Sequence, residues 1–181
     1  MPVAGLFLKD YQRVRLITLL DPDIDPLGAS YHTLQSKIAV GSGGFWGKGL
    51  LAGTQSGLNF LPEKHTDFIF AVFAEEWGFL GAAGLIVLYM ALILRGISIA
   101  YTTRDRLGSL IATGVVSMLG FYILLNIAMT IALAPVVGLP LPLFSYGGSA
   151  TLATMVAVGL LLNIRMRRFR YTQRAEGGLM P

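Results

Sequence analysis

The sequence predicts an all-α protein that crosses a membrane several times, and three observations carry this. Hydrophobic residues make up 54% of the 181 residues and charged residues only 13%. That is about half the charged share of a soluble domain, too little polar surface to cover a globule in water. Uncharged runs of membrane-crossing length recur: Trp77–Leu94 contains no charge, and neither does the whole stretch from Leu107 to Ile164. Eleven of the fourteen basic residues sit in three short clusters outside those runs. The net charge of +4 therefore reads as orientation in a membrane, with the lipid bilayer as a partner and no nucleic acid. With no cysteine, the chain has neither a disulfide framework nor a thiolate metal site.

The elements follow in order within a single membrane domain. Residues 1–8, MPVAGLFL, run straight into Lys9. A secretory signal places its charges before the apolar run, so this reads as the end of a preceding helix, and the chain as the C-terminal part of a longer protein. A bilayer core takes roughly 20 apolar residues as helix, which fits a span over 77–95. The uncharged stretch after Leu107 is too long for one crossing and is broken by Pro135, Gly138, Pro140 and Pro142. Proline removes a donor and clashes with the preceding turn, so two spans are expected, 108–133 and 147–164, with an irregular segment between them. Such a segment is tolerated at membrane depth only when protein or water covers it.

The basic clusters are Lys9–Arg15, Arg95–Arg106 and Arg165–Arg174. The positive-inside rule makes all three cytoplasmic. Residues 51–76 then form an extracytoplasmic loop and 165–181 a cytoplasmic tail. Parity demands one more crossing before that loop, and the candidate is 28–50. It carries His32, Gln35 and Lys37, so it is expected to face protein or a wet groove and not lipid.

Several segments invite chemical readings. Asp21, Asp23 and Asp25 alternate in DPDIDP, like a metal loop or the acidic pair of nucleotide-sugar enzymes. A calcium loop needs Gly at its sixth position and Glu at its twelfth; Pro26 and His32 stand there, and the prolines favour a turn. GSGGFWGKG (41–49) looks like a phosphate loop, but Ser42 and Gly49 break the pattern. Lys48, among glycines, could still meet a phosphate as a point charge. In EKHTDFIFAVFAEE (63–76), Asp67 is an acid followed directly by apolar residues. A carboxylate at such a border can serve as a base, while Thr66 or Asp67 could equally cap the next helix. Asn126, in mid-span, is expected to bond a neighbouring helix. The glycines of SYGGS (145–149) allow turning and close packing.

These pieces resemble one family. KDYQRVRL, DPLG, QSKIAVGSGG, GKG, GTQS, FLPEKHTDFIFAV, AEE, PVVGLPLPL and SYGGS occur in the order found in the SEDS family (shape, elongation, division and sporulation), from about residue 9 to 164. GKG, GTQS and PVVG favour its rod-shape branch. The resemblance implies a ten-helix fold of which this chain holds the last four transmembrane helices. It implies a peptidoglycan glycosyltransferase of the bacterial inner membrane, with the C-terminus cytoplasmic. That enzyme polymerises lipid II during elongation beside a class B penicillin-binding protein transpeptidase. Its essential acid falls on Asp67. Lys48, Gln55, Ser56, Glu63, His65, Ser145 and Tyr146 stand at motif positions on the substrate side. Ala128 and Ala132 replace usual glycines, and Trp77 replaces an aliphatic residue. The diphosphate leaving group calls for cations, either Lys48 or a divalent Mg or Mn ion; the residues fix no cofactor. A lipid II flippase or a non-catalytic scaffold for the transpeptidase are the alternatives, and the fragment alone is expected to be inactive.

This topology predicts that 51–67 and 135–146 lie outside and that 95–106 and 165–181 lie inside. Single-cysteine labelling is clean because the chain has no native thiol. Ser98→Cys and Thr172→Cys should label only from the cytoplasm, and labelling from outside at either one would overturn the topology.

Overall fold

The computed structural model describes residues 29–50 and 67–176. Within them the chain forms four helices: α1 (Ala29–Ser42), α2 (Ile69–Thr102), α3 (Arg106–Thr130) and α4 (Gly148–Glu176). Three segments are long and apolar enough to cross a membrane: all of α2, all of α3 and Gly148–Arg167 of α4. The boundaries differ from expectation in two places. Helix begins at Ile69 and not near 77, so the end of the expected 51–76 loop is helical. The last helix runs through the basic tail to Glu176, because Arg and Gln are good helix formers and nothing before Gly177 breaks it. The segment 1–8 and the acidic turn DPDIDP lie outside the described residues.

The polar helix α1 packs through its small residues. Ser36 and Ala39 are fully buried, and Ala39 meets Phe68 and Ala71 at the start of α2. The Ser36 hydroxyl donates to the Thr130 carbonyl at 2.8 Å, satisfying one of the carbonyls left open at the end of α3. Of the residues expected to face protein or a wet groove, Gln35 is half-buried and Lys37 is exposed on this chain. Ser36 and Ala39, three residues apart, set the packed face of the helix, and Lys37 lies off it. The His32 side chain lies outside the described part.

Helices α2 and α3 form the main packing unit. Asp105 caps α3 by accepting from the Leu107 and Gly108 amides, as short acids do at a helix start. The Ser109 hydroxyl donates back to Ala100 O, closing the short turn between the two helices. Near this end Ala100, Ala112, Val116 and Leu161 join α2, α3 and α4 in one core. Near the other end Phe70, Tyr89 and Ile123 pack with Leu141 of the proline-rich connection.

Helix α2 is broken at Gly78, where φ is 65° and ψ is −163°. The roughly 24 residues beyond the break give a length of about 36 Å, enough for a core of about 30 Å. The freed backbone groups find partners in the glycine-rich loop after α1. Lys48 N and Gly49 N donate to Glu75 O and Glu76 O at 3.0 Å, while Phe79 N and Leu80 N donate to Gly44 O and Phe45 O at 2.9 and 3.3 Å. The approach leaves no room for side chains. A Cβ at Gly78 would collide with the Gly47 nitrogen, and one at Gly47 with the Glu76 carbonyl oxygen. The loop that resembled a phosphate cradle is thus bonded to its own chain.

Helix α3 ends in a Schellman motif: Leu133 N donates to Ala128 O at 2.8 Å and Ala132 N to Met129 O at 3.2 Å. The left-handed residue this motif requires is Ala132, with φ 62°, at a position where glycine is the usual solution. An L-residue there costs roughly 1–2 kcal/mol, partly offset by the greater unfolded-state freedom of glycine. Ala132→Gly is therefore expected to stabilise the protein by about 0.5 kcal/mol or more. A melting curve of the detergent-solubilised protein checks this, and an unchanged or lower midpoint would show that the position carries no strain.

Candidate functional site

Asp67 lies two residues before the first helical residue of α2. The N-cap position falls on Phe68, which makes no side-chain capping bond. The expectation that Thr66 or Asp67 is the N-cap is therefore corrected by one residue: Phe68 O already accepts from the Ala71 and Val72 amides. Asp67 is half-buried. Its main-chain carbonyl accepts from Asn126 Nδ2 at 3.0 Å. The same nitrogen donates to Leu139 O at 2.7 Å. Two carbonyl acceptors on one atom fix which end of the amide is nitrogen. Asn126 thus bonds two irregular segments and not a neighbouring helix. Gly138, beside Leu139, has φ 74°, and a Cβ built there would stand 3.3 Å from Asp67 Oδ2. A side chain at Gly138 would therefore crowd the carboxyl group, which stands close to the proline-rich connection.

That connection is held at several points. Ser145 Oγ accepts from Leu141 N at 2.7 Å, and Ser145 N donates to Leu141 O at 3.0 Å, a reciprocal turn lock. The Tyr89 hydroxyl donates to Pro142 O at 2.7 Å. Ser145 is buried and also lines a cavity of about 260 Å³ with Tyr122, Ser149 and Thr154. Tyr146 is 82% exposed. These two members of SYGGS therefore present different faces: Ser145 holds backbone, while Tyr146 offers its ring outward.

Lys48 is engaged. Its ammonium donates to Glu75 Oε1 at 2.8 Å and to Ser42 Oγ at 2.8 Å. Glu75 is fully buried, whereas the lysine side chain is 27% exposed. Glu75 follows Asp67 by eight residues, roughly 12 Å along a helix. The lysine thus belongs to the break at Gly78, two turns from the carboxylate at Asp67. Glu75 and Asn126 are the site residues that sequence reasoning did not assign. The signal for Glu75 was a pair of acids inside an apolar run close before a glycine.

Gln55, Ser56, Glu63 and His65 lie outside the described residues. Among the described residues no group of three or more His, Asp or Glu is placed to hold a metal ion.

A broken helix and a proline-rich connection, each closed by hydrogen bonds within the chain, with Asp67 beside the second, define a polytopic membrane protein built around irregular backbone. The chain belongs to the FtsW/RodA/SpoVE family of cell cycle proteins, whose model matches residues 1–170. It is similar to the peptidoglycan glycosyltransferase MrdB of Escherichia coli, 53% identical over 169 residues, which cover 93% of this chain and 46% of the relative. It is also similar to the peptidoglycan glycosyltransferase RodA of Treponema pallidum, 47% identical over 161 residues, covering 89% and 37%. Among solved structures it matches a chain of a peptidoglycan synthase complex that coordinates polymerization and crosslinking, with TM-score 0.69, 38% identity, and 92% and 45% of the two chains covered. The rod shape determining protein RodA of Thermus thermophilus matches with TM-score 0.54 and 35% identity, over 86% and 54%. The chain spans about half the length of the curated relatives it matches.

A buried carboxylate stripped of its counter-charge costs roughly 3–5 kcal/mol, and far less when both charges go. Lys48→Met is thus expected to destabilise the protein by about that amount, and Lys48→Met with Glu75→Gln to recover most of it. Denaturation of the two variants beside the parent reads this directly. Equal losses in the single and double variants would show that the two residues are not coupled.

Proposed function

We propose that this chain is the C-terminal membrane part of a peptidoglycan glycosyltransferase that polymerises lipid II, with Asp67 as the general base. The observation that carries the reading is the setting of Asp67. Its carboxyl group stands close to Gly138, where a Cβ would come within 3.3 Å of Oδ2, and its main-chain carbonyl is tied to Asn126 of α3. A base is effective when it is held within hydrogen-bond reach of the proton it takes. In this reading the lipid tail of the substrate stays in the bilayer and its sugars stand outside, so chemistry takes place at the outer border. Asp67 takes the proton of the attacking sugar hydroxyl as the lipid diphosphate leaves. The names of the relatives support this reaction class.

Lys48, Gln55, Ser56, Glu63, His65, Ser145 and Tyr146 are the proposed substrate-side residues by family position. Lys48 reaches a diphosphate only when substrate competes with Glu75 for its ammonium. Placement in the bacterial inner membrane, a cytoplasmic C-terminus and work beside a class B penicillin-binding protein complete the proposal. The broken helix at Gly78 also suits a lipid II transporter, since transporters build sites from interrupted helices. The carboxylate distinguishes the two.

In a full-length family protein carrying this sequence, Asp67→Asn is expected to lower lipid II polymerisation by on the order of 10²–10⁴-fold, with the protein still folded and still binding lipid II. Near-normal glycan synthesis by this nearly isosteric variant would remove Asp67 from the chemistry. Loss of lipid II translocation alone would favour the transporter.

A further inference from the structure

Asn126 is fully buried in the middle of α3, among apolar neighbours such as Leu125 and Ile127. A polar side chain there needs a reason. One reason is ordinary stabilisation by hydrogen bonds, but the bonding pattern points elsewhere. The amide nitrogen spends both protons on main-chain carbonyls of two separate segments, Asp67 O at 3.0 Å and Leu139 O at 2.7 Å. The amide oxygen is buried with no hydrogen-bond partner among the described residues. What the residue contributes is thus carried by its two donor bonds.

The two carbonyls are not arbitrary. One belongs to the residue that carries the candidate base. The other follows Gly138, where a Cβ would crowd the carboxyl group of that base. One nitrogen atom thus ties the main chain at Asp67 to the backbone next to Gly138. Asn126 itself is anchored in the same turn as Thr130, whose hydroxyl donates to Ile127 O and Asn126 O and whose carbonyl is held by Ser36 of α1.

We infer that Asn126 is a positioning residue: it sets where the Asp67 carboxyl group stands relative to the 135–146 segment, without touching substrate. This rests on the reading of Asp67 as the base. Few side chains can replace it. Leucine has a similar volume and no donor. Ionised aspartate has the same shape but presents oxygen to two carbonyl oxygens. Glutamine carries the amide one methylene too far.

The test uses the full-length protein in defined proteoliposomes containing lipid II, with Asp67→Asn beside it as a control. Rates are normalised to folded protein, and the melting midpoint is recorded. Asn126→Leu is expected to lower kcat about 10²-fold, the scale of an ångström-level misplacement, with KM for lipid II unchanged. Asn126→Asp, which keeps the shape, is expected to lose kcat as well, because its carboxyl group offers at most one donor where the amide offers two. A folded Asn126→Leu protein with the parent kcat, or a loss that merely follows the folded fraction, overturns the inference. Failure of both variants to fold also overturns it, because the amide would then serve the fold. Full activity in Asp67→Asn instead removes the underlying reading, whatever the Asn126 variants do.

Discussion

A backbone polar group that leaves a helix inside a bilayer has no water to turn to and must be matched by protein. The same demand holds at the membrane border wherever protein covers the backbone. Among the described residues the helices are interrupted at Gly78 and again across 131–147, and each interruption is closed by hydrogen bonds. At Gly78 the loop after α1 supplies two donors and two acceptors to the parted ends of α2. Across 131–147 the closure comes from the Schellman turn, from Ser145, from the Tyr89 hydroxyl and from Asn126. Asp67 is tied to the second of these closures through Asn126, so the proposed chemistry and the closing of the backbone share residues there.

The outer faces of the three apolar helices are of another kind. Val87, Leu88 and Leu94 on α2, Leu110, Phe121 and Leu124 on α3, and Leu152, Val156 and Leu162 on α4 are all exposed on this chain. Such surface suits acyl chains, or the further helices expected of relatives about twice as long. The polar work is concentrated inward and toward one end, as intramembrane polar groups generally are.

Much of this was legible in the sequence. The long uncharged runs marked α2, α3 and α4, and the proline cluster marked the connection, because hydropathy and proline chemistry act locally. The placement of Asp67 before a helix was legible for the same reason. The break at Gly78 was not. One glycine in WGFLGAAG looks like a packing residue, and only the arrival of Gly47 against it makes a left-handed turn worthwhile. Glu75 falls in the expected outer loop 51–76 because the uncharged run begins only at Trp77. Its counter-charge lies 27 residues earlier, a distance no periodicity reports. Asn126 was seen as polar and buried, but its partners are main-chain carbonyls, and these leave no trace in side-chain patterns. Ala132 was visible as a departure from the family, and its positive φ gives that departure a physical meaning.

The closure at Gly78 has a consequence for how the protein is made. The glycine loop and the broken helix are each incomplete alone. Released singly into lipid, either would carry bare amides or carbonyls, and Glu75 would enter without Lys48. The two segments are therefore complete only as a pair, so ordering the loop after α1 and setting the break in α2 are one folding event, although 27 residues separate the two charges that meet there.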